Sequence, residues 1–147
     1  MKNILLVFLG GGLGSSLRYL ISKYLNQLEN SIALGTFTVN ILGSLLIGII
    51  MGFALKNDTP SSTLTLLVAT GFCGGFTTFS TFAYENHVFL KSGDFTSFAL
   101  YTIASFVIGF LAVFISFELV SENTSVVVDS TIASEVVELG KGFLLLK

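Results

Sequence analysis

The sequence predicts an all-α membrane protein with four transmembrane helices per subunit. Of its 147 residues, 52% are hydrophobic and only 11% charged, against roughly 25% charged in an average soluble domain. Four apolar stretches each reach the ~20 residues that a membrane-crossing helix needs. The polar stretches between them are short: residues 26–31, residues 56–63 with the sole proline Pro60, and residues 91–94. Seven basic and nine acidic side chains cannot coat a water-facing surface, so an ordinary soluble domain and a disordered chain are both excluded. Hydrocarbon offers no water to the backbone, so the spans must bond internally as helices, and connections this short make neighbouring spans antiparallel. A net charge of −2 without a basic run argues against nucleic acid. One cysteine, Cys73, and one histidine, His87, leave neither a disulfide nor a zinc motif. No nucleophile–base pair and no P-loop motif is present, so the chain does not read as an enzyme.

The first span runs from Ile4 to Leu25. It is too long for a cleaved signal peptide, contains Arg18, and lacks a small-residue cleavage site. Gly10 and Gly14 form a G-x-x-x-G pair that permits close helix contact. Arg18 either snorkels to the interface or makes a vestibule positive and draws anions. The second span runs from Ala33 to Leu55. Thr36, Asn40 and Ser44 recur every four residues and share one face, with Gly43, Gly48 and Gly52 as further close-approach positions. The Asn40 amide has two N–H donors and one acceptor to place, and an interhelical hydrogen bond would use them.

The third span, from Leu64 to Phe89, is the unusual one. Its centre reads Thr70-Gly71-Phe72-Cys73-Gly74-Gly75-Phe76-Thr77-Thr78-Phe79-Ser80-Thr81-Phe82. Adjacent glycines invite a break, and a break at membrane depth needs its freed carbonyls satisfied by protein, water or an ion. Carbonyls near Gly74 and Thr77 could then hold a hard cation such as Na⁺; a glycine-packed but unbroken helix is the alternative. Phe79 and Phe82, three apart with Ser80 and Thr81 between them, are either packing or a pair whose positive ring edges favour a small anion. Glu85, one turn past Phe82, would repel an anion, and it accepts hydrogen bonds or pairs with a cation instead. His87 and Cys73 are assigned to packing.

The fourth span runs from Phe95 to Leu119. Thr102, Ser105, Gly109, Ala112 and Ser116 form a small-residue packing seam. Residues 1–119 therefore form the transmembrane unit, and residues 120–147 a tail of no assigned role. In that tail Ile132, Val136 and Leu139 have helical spacing and Gly140 is placed to end a short interfacial helix; a frayed end is the alternative. Lys2 and Lys56 fall on one side of the membrane; Lys23 and Lys91, with Arg18 leaning the same way, fall on the other. Orientation follows the Lys/Arg bias, and so small a bias permits insertion both ways.

Three blocks carry a resemblance: Gly11-Gly12-Leu13-Gly14-Ser15 leading to Arg18-Tyr19, then Gly35 to Ser44 around Asn40, and above all Gly71 to Phe82 followed by Glu85. With these, the chain resembles the Fluc (CrcB) family of small bacterial fluoride channels. The resemblance covers residues 1–119 and does not extend to the tail. It implies an antiparallel dual-topology dimer in the bacterial plasma membrane, with the third helix broken at its centre and two fluoride pathways built from both subunits. It implies a structural Na⁺ at the dimer interface on the carbonyls of Gly74 and Thr77. Phe79 and Phe82 match the ring-edge phenylalanines, Asn40 the pore amide, Ser80 and Thr81 hydroxyls near the path, and Arg18 the vestibule arginine. A homodimer follows from having these residues in one chain, with a paralogous heterodimer as the variant. A dual-topology exporter of the small multidrug resistance type would need a carboxylate deep in the first span, which has none. A purely structural membrane protein would leave the Gly-Thr-Phe-Ser run unexplained.

The charge balance makes a testable statement. Reporters fused to the C-terminus should label both sides of the membrane, and two lysines added to one loop should bias insertion. A native reporter confined to one side would contradict dual insertion.

Overall fold

The structure is a computed structural model that describes residues 1–26, 33–56 and 62–144, with side chains described within 1–26, 33–54 and 63–121. Its elements are helices α1 (Lys2–Asn26), α2 (Leu34–Lys56), α3 (residues 62–76), α4 (Phe79–Ser92) and α5 (Phe95–Leu144). Among the described residues, four helical stretches are long and apolar enough to cross a membrane: Lys2–Asn26, Leu34–Ala54, Thr65–Ser92 and Phe95–Ser121. The expected spans therefore stand. The polar connections at 27–32 and 57–61, including Pro60, lie outside the described residues.

Each described connection has a local cause. Asn26, the last residue of α1, accepts a hydrogen bond from the Gly35 amide at 2.9 Å and so satisfies a free donor in the first turn of α2. α4 ends at Gly93, whose φ of 79° is left-handed and is the usual helix stop because glycine has no Cβ to clash. Its amide bonds back to Leu90 O at 3.2 Å. Asp94 then starts α5 by accepting the Ser97 amide at 3.0 Å. Hydrogen bonds from the Ser97 hydroxyl and amide hold the Asp94 carboxyl below its ordinary value.

Two helix pairs do most of the packing: α1 on α3, and α2 on α5. The first contact is backbone on backbone. A Cβ placed on Gly14 would strike Phe72 O and lie 2.9 Å from Phe76 N, and one on Gly10 would strike Leu67 O. The G-x-x-x-G pair thus meets the third span. The second contact uses the predicted seam of α5: Ala112 and Ser116 are buried, and Gly48 of α2 sits against Ser116 Oγ and Val113.

Three features depart from the sequence expectations. Thr65–Cys73 is π-helical, a wider winding that is rare and frequent at functional sites. The adjacent glycines do not interrupt the chain: Gly74–Phe76 is a turn of α-helix, and Gly75 is used for contact, because a Cβ there would strike Gly11 O. The extended residues are instead Thr77 (φ −79°, ψ 157°) and Thr78 (φ −148°, ψ 113°). Finally, α5 does not stop near Leu119 or at Gly140 but runs from Phe95 to Leu144. No glycine or proline stands between Gly109 and Gly140 to end it. The side chains of Ile132, Val136 and Leu139 lie outside the described residues.

Gly14→Val should destabilise the protein strongly, by more than the ~1–3 kcal/mol typical of overpacking, because its obstacle is backbone. Gly12→Ala, where an added Cβ meets nothing within 4 Å, should be neutral or slightly stabilising. Thermal unfolding of the two variants in detergent checks the contrast.

Candidate functional site

Thr77 and Thr78 lie at the midpoint of the span Thr65–Ser92, where an unsatisfied peptide group costs several kcal/mol. The chain accounts for several of the groups it frees. Thr77 returns both its amide (3.0 Å) and its hydroxyl (2.9 Å) to Cys73 O. The Asn40 carboxamide brackets Thr78: the Thr78 amide donates to Oδ1 at 2.7 Å and Nδ2 donates to Thr78 O at 3.2 Å. The Thr78 hydroxyl caps α4 by accepting the Thr81 amide at 3.3 Å, and it also meets the hydroxyls of Thr81 (3.0 Å) and Ser80 (3.3 Å). Arg18 donates through Nε to Gly75 O at 3.1 Å. Gly43 lets the Thr77 methyl approach α2, since a Cβ there would strike Thr77 Cγ2.

This pattern takes the helical donors from the carbonyls at the end of α3, Gly74 and Thr77 among them. In a continuous helix Gly74 O would receive the Thr78 amide and Thr77 O the Thr81 amide. Those amides go to Asn40 Oδ1 and Thr78 Oγ1. A Cβ on Gly74 would meet nothing within 4 Å, so Gly74 faces open space, while its neighbour Gly75 packs on Gly11. Among the described residues no three His, Cys, Asp or Glu side chains converge. The oxygen donors at the interruption are therefore carbonyls and hydroxyls, the set that suits a hard cation.

The two phenylalanines are unequal. Phe82 is buried at 7% exposure and Phe79 is 74% exposed, with ring centroids 5.9 Å apart. Phe82 is held from α5 by Tyr101 at 5.2 Å and by Phe106 at 5.8 Å with an 89° interplanar angle. One turn on, Glu85 accepts the Thr36 hydroxyl and the Tyr101 hydroxyl, each at 2.7 Å. Of its two expected uses, accepting hydrogen bonds is the one seen.

An open groove of about 620 Å³ joins these parts. Asn40, Gly74, Thr77, Phe79 and Phe82 all line it, as does Ser105, whose buried hydroxyl has no hydrogen-bond partner. Ser80 and Thr81 stand at the α4 cap rather than on the groove wall, and Arg18 lies on the α1 side, bound to Gly75. Cys73 is buried as expected, whereas His87 is exposed rather than packed. Sequence reasoning missed Thr78, Tyr101 and Asn86. Thr78 carried a signal, a hydroxyl three residues before Thr81 at a helix start. Tyr101 and Asn86 carried none, because their partners lie 16 residues away.

The fold and the site together define a multi-pass helical membrane protein with a polar site built around Asn40 at the centre of its third span. The chain belongs to the family described as CrcB-like protein, Camphor Resistance (CrcB), whose model matches residues 5–117. It is 51% identical over 124 residues to a protein of Gloeothece citriformis named fluoride-specific ion channel FluC, covering 84% of this chain and all of that one. Proteins of the same name from Phocaeicola vulgatus (46% over 114 residues, 77% of this chain and 93% of that one) and Azobacteroides pseudotrichonymphae (40% over 118 residues, 80% and 94%) are also similar.

Asn40→Leu, nearly isosteric, orphans the Thr78 amide at about 1–3 kcal/mol and removes a second donor from the Thr78 carbonyl, which as the helix cap keeps its intrahelical bond. It should lower the unfolding midpoint well below that of Ser44→Ala. Asn40→Asp keeps the acceptor for the Thr78 amide and should fall between them. Equal midpoints for Asn40→Leu and the parent would show that the interruption does not depend on this amide.

Proposed function

We propose that this chain is a fluoride-selective channel that lets fluoride leave the cytoplasm passively and so protects the cell against fluoride toxicity. It is a multi-pass protein of the bacterial plasma membrane and not an enzyme. The observation that carries the reading is the 51% identity over the whole length of a relative named as a fluoride-specific channel. The shared groove of Asn40, Phe79 and Phe82 supports it.

Fluoride is small and strongly hydrated, so its water must be replaced and not merely removed. Amide and hydroxyl donors and aromatic edges offer partial positive charge without the trap of a full cation. Conduction needs entry to be favourable and exit easy. Phe82, fixed by Tyr101 and Phe106, presents a held ring to the path, and Phe79 a ring open to the groove. Ser105 supplies an unspent hydroxyl. The Arg18 guanidinium, tied to the backbone at Gly75, adds positive potential near the vestibule. An inside-negative potential drives an anion outward by about 2.3 kcal/mol per 100 mV, so no energy-coupling site is required.

The working unit in this reading is an antiparallel homodimer, with a paralogous heterodimer as the variant. The near-even Lys/Arg distribution and an open groove lined by a 74% exposed phenylalanine support a second copy. The interruption at Thr77 and Thr78 is read as the break of the third helix. The Gly74 and Thr77 carbonyls, whose helical donors are engaged elsewhere, fit a structural Na⁺, which would supply charge compensation there and join the two copies.

Purified protein in liposomes should release fluoride down its gradient and exclude chloride; equal fluxes would sink the proposal. Phe79→Ile and Phe82→Ile keep apolar bulk but remove the ring edge. A loss of roughly 1–3 kcal/mol, taken by analogy from cation–π contacts, slows flux about five- to 150-fold. Parent-like flux from both variants, eluting as dimers, would remove the aromatic pathway. In the same preparation, exchanging Na⁺ for a large organic cation should lower the dimer's thermal stability, and an unchanged midpoint would remove the ion from this account.

A further inference from the structure

α4 is keyed to α5 by two adjacent clips. The first is Tyr101 on Glu85. The second, one residue further along each helix, is Thr102 on Asn86: the Thr102 hydroxyl donates to Asn86 Oδ1 at 2.8 Å. Asn86 is buried at 7% exposure. Its remaining polar atom is also used, with Nδ2 donating to the backbone carbonyl of Phe82 at 3.0 Å. The Asn86 carboxamide therefore bridges the Phe82 backbone to α5, while the Phe82 ring leans on Tyr101 and Phe106 of that same helix. Backbone and ring of one residue are referenced to a single neighbouring helix by different means. Away from these contacts α4 and α5 share little close packing compared with α1–α3 or α2–α5; the turn at Gly93 and Asp94 and the Phe89–Tyr101 ring contact hold their joined ends.

We infer that Asn86 and Thr102 are a positioning pair that fixes the azimuth and height of Phe82 relative to α5, and through it the width of the aromatic passage. The inference rests on the fluoride-channel reading for its functional consequence, though not for its structural one. Neither residue lines the groove, so the pair acts through Phe82 and not on the ion. Replacing the hydroxyl by a methyl, Thr102→Val, keeps the shape and removes only the donor. It leaves Asn86 Oδ1 without this partner and frees α4 to turn. Thr102→Ser keeps the donor and serves as the conservative rescue.

The test reads the Phe82 ring directly and flux separately. With 4-fluorophenylalanine incorporated at position 82, the ¹⁹F line of the dimer in detergent should shift or broaden in Thr102→Val and return toward the parent in Thr102→Ser. In liposomes Thr102→Val should slow fluoride release per active vesicle roughly three- to twentyfold, the span of an average to strong interhelical hydrogen bond in a membrane. It should also reduce the fluoride-to-chloride ratio, which a loss of folded protein alone would not change. Thr102→Val should add little when combined with Asn86→Leu, which already removes both bonds, because the two residues act as one unit. A parent-like ¹⁹F line in Thr102→Val overturns the inference whatever the flux. A parent protein that passes no fluoride overturns the channel reading instead and leaves the ¹⁹F result to decide the positioning role by itself.

Discussion

Two peptide groups leave helical geometry at the middle of a membrane span, and hydrocarbon has no water to offer them. That constraint organises the molecule. The Asn40 carboxamide has one donor and one acceptor in the right plane to take both groups of Thr78, and it must come from a helix close enough to reach. α2 is brought that close by Gly43, whose missing Cβ leaves room for the Thr77 methyl. On the other flank Arg18 takes Gly75 O, and α1 approaches through glycines that meet the third span backbone to backbone. The polar site and the small-residue contacts are thus one arrangement: remove the close approach, and the hydrogen bonds that make the interruption tolerable lose their partners.

Division of labour among the helices follows. α1 and α2 supply the polar groups that stabilise the interruption, and α5 supplies the aromatic and hydroxyl groups that order the chain after it. Phe82 is buried among α5 rings and Phe79 is left open to the groove. Glu85 is engaged by two hydroxyls from two different helices, so this carboxylate is tied into the scaffold.

Much of this was legible in the chain. Four spans follow from length and apolarity alone. The face shared by Thr36 and Asn40 follows from their spacing of four, and both reach partners across the same boundary with the third span and its continuation. Gly10 and Gly14 announced a close contact without naming its partner. What the sequence did not reveal has physical reasons. The adjacent glycines pointed to a break at Gly74–Gly75, yet helix termination is decided by who accepts and donates. Thr78, β-branched and able to cap with its own hydroxyl, has an external partner in Asn40 for both its amide and its carbonyl, whereas Gly75 has an external donor for its carbonyl alone. Tyr101 and Thr102 act across 16 residues of chain, and no local pattern encodes that distance. The π-helical winding of Thr65–Cys73 has no signature in residue type, and the continuation of α5 past Leu119 shows that a shift to polar composition does not itself end a helix.

The interruption has an electrostatic consequence beyond hydrogen-bond accounting. α3 ends at Phe76 and α4, 14 residues long, begins at Phe79, so a carbonyl terminus and an amide terminus face the same region two residues apart. Aligned peptide dipoles give such ends roughly half an elementary charge each, negative at the first and positive at the second. In water these poles would be screened; at membrane depth they are not. One chain therefore carries a cation-attracting end and an anion-attracting end side by side near the bilayer midplane, neither requiring a charged side chain at that depth. A dipolar pair made of main chain is hard for point substitution to abolish, since every residue type but proline contributes the same peptide group to it.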